Sequence, residues 1–92
     1  MEYIITFKNT HFAIKAEYCL LEQRVQASVL PLPSQISAGC GICLRVGHDD
    51  IRLALKTLAE MNINEIGLFS RTPENSRFSY TEISSDFYEN PV

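Results

Sequence analysis

From Glu2 to Phe7 the chain is dense in Ile, Tyr, Phe and Thr, which predicts a first strand. The period then changes. Phe12, Ala16, Cys19 and Leu20 recur at i, i+4, i+7 and i+8, so a helix is expected with these four on one face. Lys15, Glu22 and Gln23 take the opposite face, and Asn9-Thr10 offers cap residues ahead of it. A second strand is expected from Ala27 to Leu32, stopped by Pro31-Leu32-Pro33 because proline cannot donate to a ladder. Ile42, Leu44 and Val46 mark a third strand, followed by Gly47. Asp49-Asp50 then sit in the first turn of a second helix, where carboxylates oppose the positive dipole end. Its apolar residues, Ile51, Leu55, Leu58 and Ala59, repeat the spacing of the first helix. Asn62 is expected as a left-handed terminator, and Glu65 to Phe69 as a fourth strand.

Strand, helix, strand thus occurs twice, with the helical faces 39 residues apart. That order predicts an α+β, ferredoxin-like βαββαβ fold: a four-stranded antiparallel sheet with two helices on one face. Residues 1–70 are expected to form this domain, with residues 71–92 as a C-terminal extension. The extension holds four of the nine aromatics, Phe78, Tyr80, Phe87 and Tyr88, too many for a purely solvated tail. Arg77 to Ile83 alternate as a fifth strand would, or as a strand added to a neighbouring chain.

Composition narrows the classes. A length of 92 residues suits one domain with a small core, leaving no room for a separate cofactor domain. Eight basic against eleven acidic residues, with no block of like charge, leave nucleic acid without a footprint. No apolar run reaches the roughly 18–20 residues of a membrane span. The start, Met1-Glu2-Tyr3-Ile4, lacks the basic opening of a signal peptide, so a cytoplasmic location is expected. Three cysteines, an odd number, fit reduced thiols better than a disulfide scaffold.

Candidate chemistry gathers between the second and third strands, in Pro33-Ser34-Gln35-Ile36-Ser37-Ala38-Gly39-Cys40-Gly41. Hairpin loops usually take about 2–5 residues, so this segment is longer than chain reversal requires. Cys40 stands between Gly39 and Gly41, and glycine admits positive φ, where successive amides form anion-binding concavities. Such donors would favour a thiolate or persulfide at Cys40. Ser37 could add a hydroxyl, and Arg45 a positive charge if it faces the same way. The plain structural alternative is a glycine-bounded turn with an incidental cysteine.

Cys40-Gly41-Ile42-Cys43 is also a C-x-x-C, but it leads into strand-like sequence rather than the helix of thioredoxin-type sites. On that strand Cys43 points away from Ile42 and Leu44, to the non-helix face with Arg45. There it is either a small filler or a resolving thiol for Cys40. Cys40, Cys43 and His48, with only His11 besides, fall short of the four ligands of structural zinc, so no metal is expected. Cys19 lies on the apolar helical face as a core residue. Neither phosphate-cradle motif is present, and a Cys-His hydrolase has no local support.

The run Pro31-x-Pro33-x-x-Ile36-Ser37-x-x-Cys40-Gly41-x-x-Leu44-Arg45, after Tyr3-Ile4-Ile5-Thr6-Phe7, resembles the selenium/sulfur carrier protein-like family of short bacterial domains. The resemblance covers roughly residues 2 to 69. It implies that Cys40 carries sulfur or selenium for a partner enzyme, with Ser37 and Gly41 as its motif neighbours. Three features depart from the family pattern: Cys43, the ending Arg24-Val25-Gln26 without a glycine, and the long aromatic tail. The expectation is therefore a carrier or accessory protein rather than a stand-alone enzyme, holding a persulfide or selenium adduct on Cys40. Its carrier loop would comprise Ser37, Gly39, Gly41, Cys43 and Arg45. Its partners would be donor and acceptor proteins, with self-association through the sheet face or tail, and no cofactor. The alternatives are a Cys40/Cys43 dithiol switch and a binding module without chemistry. An exposed Cys40 sulfur ringed by amide donors would favour the carrier; a buried one would favour the incidental cysteine.

Overall fold

The computed structural model describes residues 1–37 and 40–83. Five strands and two helices follow in the order β1 (Glu2–Thr6), α1 (Thr10–Glu22), β2 (Ala27–Pro31), β3 (Ile42–Gly47), α2 (Ile51–Glu60), β4 (Gly67–Glu74) and β5 (Arg77–Glu82). All strands join one antiparallel sheet in the order β2-β3-β1-β4-β5. The α+β class stands, but the four-stranded ferredoxin-like sheet expected from the sequence is corrected to five strands. β4 does not stop near Phe69. It runs on to Glu74, turns through Asn75 and Ser76 at φ 47° and 67°, and returns as β5. Two adjacent left-handed residues make the hairpin turn whose twist matches that of the strands. Pro73 is tolerated because it lies past the β1 pairing, which ends at Glu2↔Arg71.

The two faces of the sheet are unequal. On one side Tyr3, Ile5, Phe7, Leu44, Val46 and Leu68 pack against Ala13, Ala16 and Leu20 of α1 and Ile51, Ala54, Leu55 and Leu58 of α2. Both helices therefore cover this face. On the other, Ile4, Cys43 and Ile36 form a small second cluster with Leu30, Leu32, Phe69 and Tyr80.

The helices are built on one plan. Ala13, Ala16, Cys19 and Leu20 are buried on α1; Ile51, Ala54, Thr57 and Leu58 hold the same places on α2. The true offset is thus 38, one less than the apolar pattern indicates. Phe12 draws attention by its size, but the small Ala13 marks where α1 comes closest to the sheet. Both helices also end alike. Val25 and Arg24 donate to the carbonyls of Leu20 and Leu21, as Ile63 and Asn62 do to Leu58 and Ala59. Asn62 is the expected left-handed terminator, at φ 58°. Arg24 takes the equivalent place at φ 64°, filling the role a glycine would normally hold.

A loop cysteine in the helix-side core

The segment after β2 closes on itself. The Leu32 amide donates to the Gly41 carbonyl at 2.9 Å, which extends the β2–β3 ladder by one bond and sets the neck of the loop. Beyond the neck, the Ile36 amide donates to Pro33 at 3.0 Å in a tight turn. This turn folds the loop across the sheet face opposite the helices and drives Ile36, 5% exposed, into the cluster around Ile4 and Cys43. The loop is a cover, held down by one apolar side chain.

Cys40 lies just inside the neck, on the other side of the sheet. It joins the helix-side core at 8% exposure, and its thiol donates to the Ile42 carbonyl at 3.2 Å. The sulfur is buried and acts as donor, which by the geometry of Cys40 alone favours an incidental cysteine over an exposed sulfur ringed by amides. The conformational argument for its glycines is corrected as well. Gly41 does not adopt positive φ, and Gly39 lies outside the described residues. Nor does packing require glycine at 41, since a side chain there would meet nothing within 4 Å.

The other candidates disperse. Ser37 is exposed and makes no side-chain hydrogen bond among the described residues. Arg45 points to the face opposite Cys40, where its Nη1 meets Glu2 Oε2 at 3.2 Å and its Nη2 donates to Ser28 Oγ at 3.1 Å. Cys43 is fully buried on that same face, as strand alternation requires, and its thiol lies 3.8 Å from the Pro31 carbonyl. Burial pushes the Cys43 thiol above its ordinary 9.0, with Arg71 pulling weakly the other way. All three cysteines are free, and Cys19 is buried on α1. Cys40 and Cys43 pack into different clusters on opposite sides of the sheet. His48 stacks on Tyr3 and His11 packs edge-on against Phe12. Among the described residues no three metal-binding side chains gather.

Two features escape a reading of the sequence. One is the Ile36 plug, although a lone large apolar residue in a loop of Pro, Ser and Gln was a signal for it. The other is an ion-pair network on the open sheet face. Arg71 binds Glu2 through Nε at 3.0 Å and through Nη2, and its guanidinium carbon stands 4.0 Å over the Phe78 ring. The Arg71 guanidinium holds the Glu2 carboxyl below its ordinary 4.5, overcoming the opposing effect of burial. Burial likewise works against the Arg71 charge, yet Glu2 and Tyr80 keep it above the usual arginine value. No local pattern announces a pair 69 positions apart.

Fold and loop together define a small α+β domain with a single loop cysteine, buried on the helix side of the sheet. A family model described as Putative Se/S carrier protein-like matches residues 2–70 of the 92, and the chain belongs to that family. No curated protein matches the chain, and neither does any solved structure. Among the described residues no helix is long and apolar enough to cross a membrane.

Proposed function

We propose that the protein carries sulfur or selenium on Cys40 and hands it to a partner protein, and that the loop bearing Cys40 must open to release its buried thiol. The reading rests on family membership and on one observation. Cys40 is the only one of the three free thiols on a loop rather than in a helix or strand. In the closed form its sulfur is a buried donor, unsuited to attack. Chemistry therefore belongs to an opened form, in which the loop rearranges and the Cys40 thiol leaves the Ile42 carbonyl and the helix-side core. The Cys40 thiolate then attacks the outer sulfur of a donor persulfide. The donor leaves as a thiolate, and Cys40 holds the sulfane sulfur. An acceptor thiolate repeats the displacement, so no external oxidant or reductant is consumed. Closure protects the adduct, and the open space beside Gly41 leaves an approach to the neck.

The test is intact-mass measurement after incubating the reduced protein with a cysteine desulfurase and cysteine. Wild type and Cys43→Ala should each gain one sulfur, and Cys40→Ala none. If no donor leaves an adduct on Cys40, or if the gain follows Cys43, the carrier reading fails.

A further inference from the structure

The two helices share a plan on their buried sides but differ on their outward sides. At the 38-residue equivalence, Ile14, Tyr18 and Leu21 of α1 answer to Arg52, Lys56 and Ala59 of α2. Where α2 presents two cations to water, α1 presents an apolar stripe at i, i+4 and i+7. Its members are 57%, 65% and 52% exposed. A helix that is apolar on opposite sides is a helix covered on both. The stripe also carries its own charges. Lys15 and Glu22, both exposed and seven positions apart, lie along one flank of it. Neither has an ion-pair partner among the described residues.

We propose that this face of α1 is the interface of a homodimer, with two copies of α1 packed antiparallel about a two-fold axis beside Tyr18. That arrangement sets Ile14 of one copy against Leu21 of the other and brings Tyr18 to Tyr18. On the charged flank it places Lys15 opposite Glu22 of the second copy, twice, by the self-complementarity that a two-fold interface demands. The opposite charges on one flank are what select a second copy as the occupant: a surface of one sign would repel itself. Three side chains per copy fall at the small end of interface sizes, below about 1,200 Å² in total, so the dimer is reversible and concentration-dependent. The interface lies on the helix layer and does not depend on the carrier reading.

Sedimentation equilibrium of the full chain over a wide concentration range tests it. The mass should climb from 10.4 kDa toward twice that value. Tyr18→Lys should hold the protein as a monomer. Lys15→Glu and Glu22→Lys should each weaken association by about tenfold or more, and the double exchange should restore it. Far-ultraviolet circular dichroism confirms that each variant is folded, as expected for exposed positions. A monomer throughout overturns the proposal and leaves the stripe to a different partner. A dimer indifferent to Tyr18→Lys, or a double exchange that fails to rescue, overturns the interface or its antiparallel register.

Discussion

Ile36 is the side chain whose removal should most directly free the loop, which bears Cys40 and covers Cys43. Ile36→Ala deletes three carbons from a position 5% exposed. At ~0.8 kcal/mol per buried carbon, the transfer loss comes to roughly 2.4 kcal/mol. Its neighbours Leu30, Leu32, Phe69 and Tyr80 are only partly buried, so water reaches part of the gap. The cost is then about 2 kcal/mol, at the low end for truncations of this kind. With roughly 1.4 kcal/mol per factor of ten, the loop should open about 30-fold more often. Thiol labelling by a disulfide reagent, mapped to each cysteine by mass spectrometry, reads that population directly. Labelling of Cys40 and Cys43 should proceed through local opening, with shallow dependence on urea. Cys19 on α1 should label only through global unfolding, with the steep dependence that large surface exposure brings. In Ile36→Ala, Cys40 and Cys43 should both react about 30-fold faster at low urea, their order set by the raised Cys43 thiol. The idea of a separate cover is refuted if Cys40 and Cys43 show the same urea slope as Cys19. It is refuted equally by a rate gain below about threefold.

Two pH profiles and one substitution extend the argument. The folded Glu2 carboxyl lies below its ordinary 4.5, so its contribution is complete above that pH and disappears as pH falls through the folded value. The urea midpoint of wild type should exceed that of Glu2→Gln near neutrality and converge with it in acid; parallel curves would remove the network from the stability balance. Cys43 has the opposite sign. Its folded value is raised, so its contribution is present below pH 9.0 and is lost as pH rises through the folded value. Wild type should lose more stability in alkali than Cys43→Ala, which itself costs about 1 kcal/mol near neutrality, and an unchanged alkaline limb would contradict this. Arg24 is exposed and holds φ 64° at the end of α1. Arg24→Gly should raise stability by up to about 1 kcal/mol in thermal unfolding, and a clear loss would mean that the arginine side chain stabilises the turn.

Local pattern carries far in this chain, and its failures have identifiable causes. Asn62 and the faces of β3 follow from φ preference and from strand alternation, both properties of adjacent residues. The helix offset misses by one because side-chain size is read as burial, whereas the smallest residue marks the closest approach. Alternation marks Arg77 to Ile83 as a fifth strand or a strand added to a neighbour, but Pro73 and an Asn-Ser turn that lacks glycine hide the extension of β4 that it pairs with. Pairing with β4 overrides both. Arg45 and Cys40 are near in sequence but belong to opposite faces, so closeness along the chain does not become closeness in space.

By itself the sequence determined the order of the elements through β4, the placement of Cys43 and Arg45 on the sheet face away from the helices, and a long loop bearing Cys40. These depend on backbone geometry repeated over a few residues. Only the tertiary structure decided that the loop folds over the far face, that Ile36 anchors it, and that the Cys40 thiol turns inward to the Ile42 carbonyl. It also decided that Glu2 and Arg71 meet across 69 positions. The reason is physical: periodicity sets which side of an element a residue occupies, whereas burial depends on which distant surfaces close over that side.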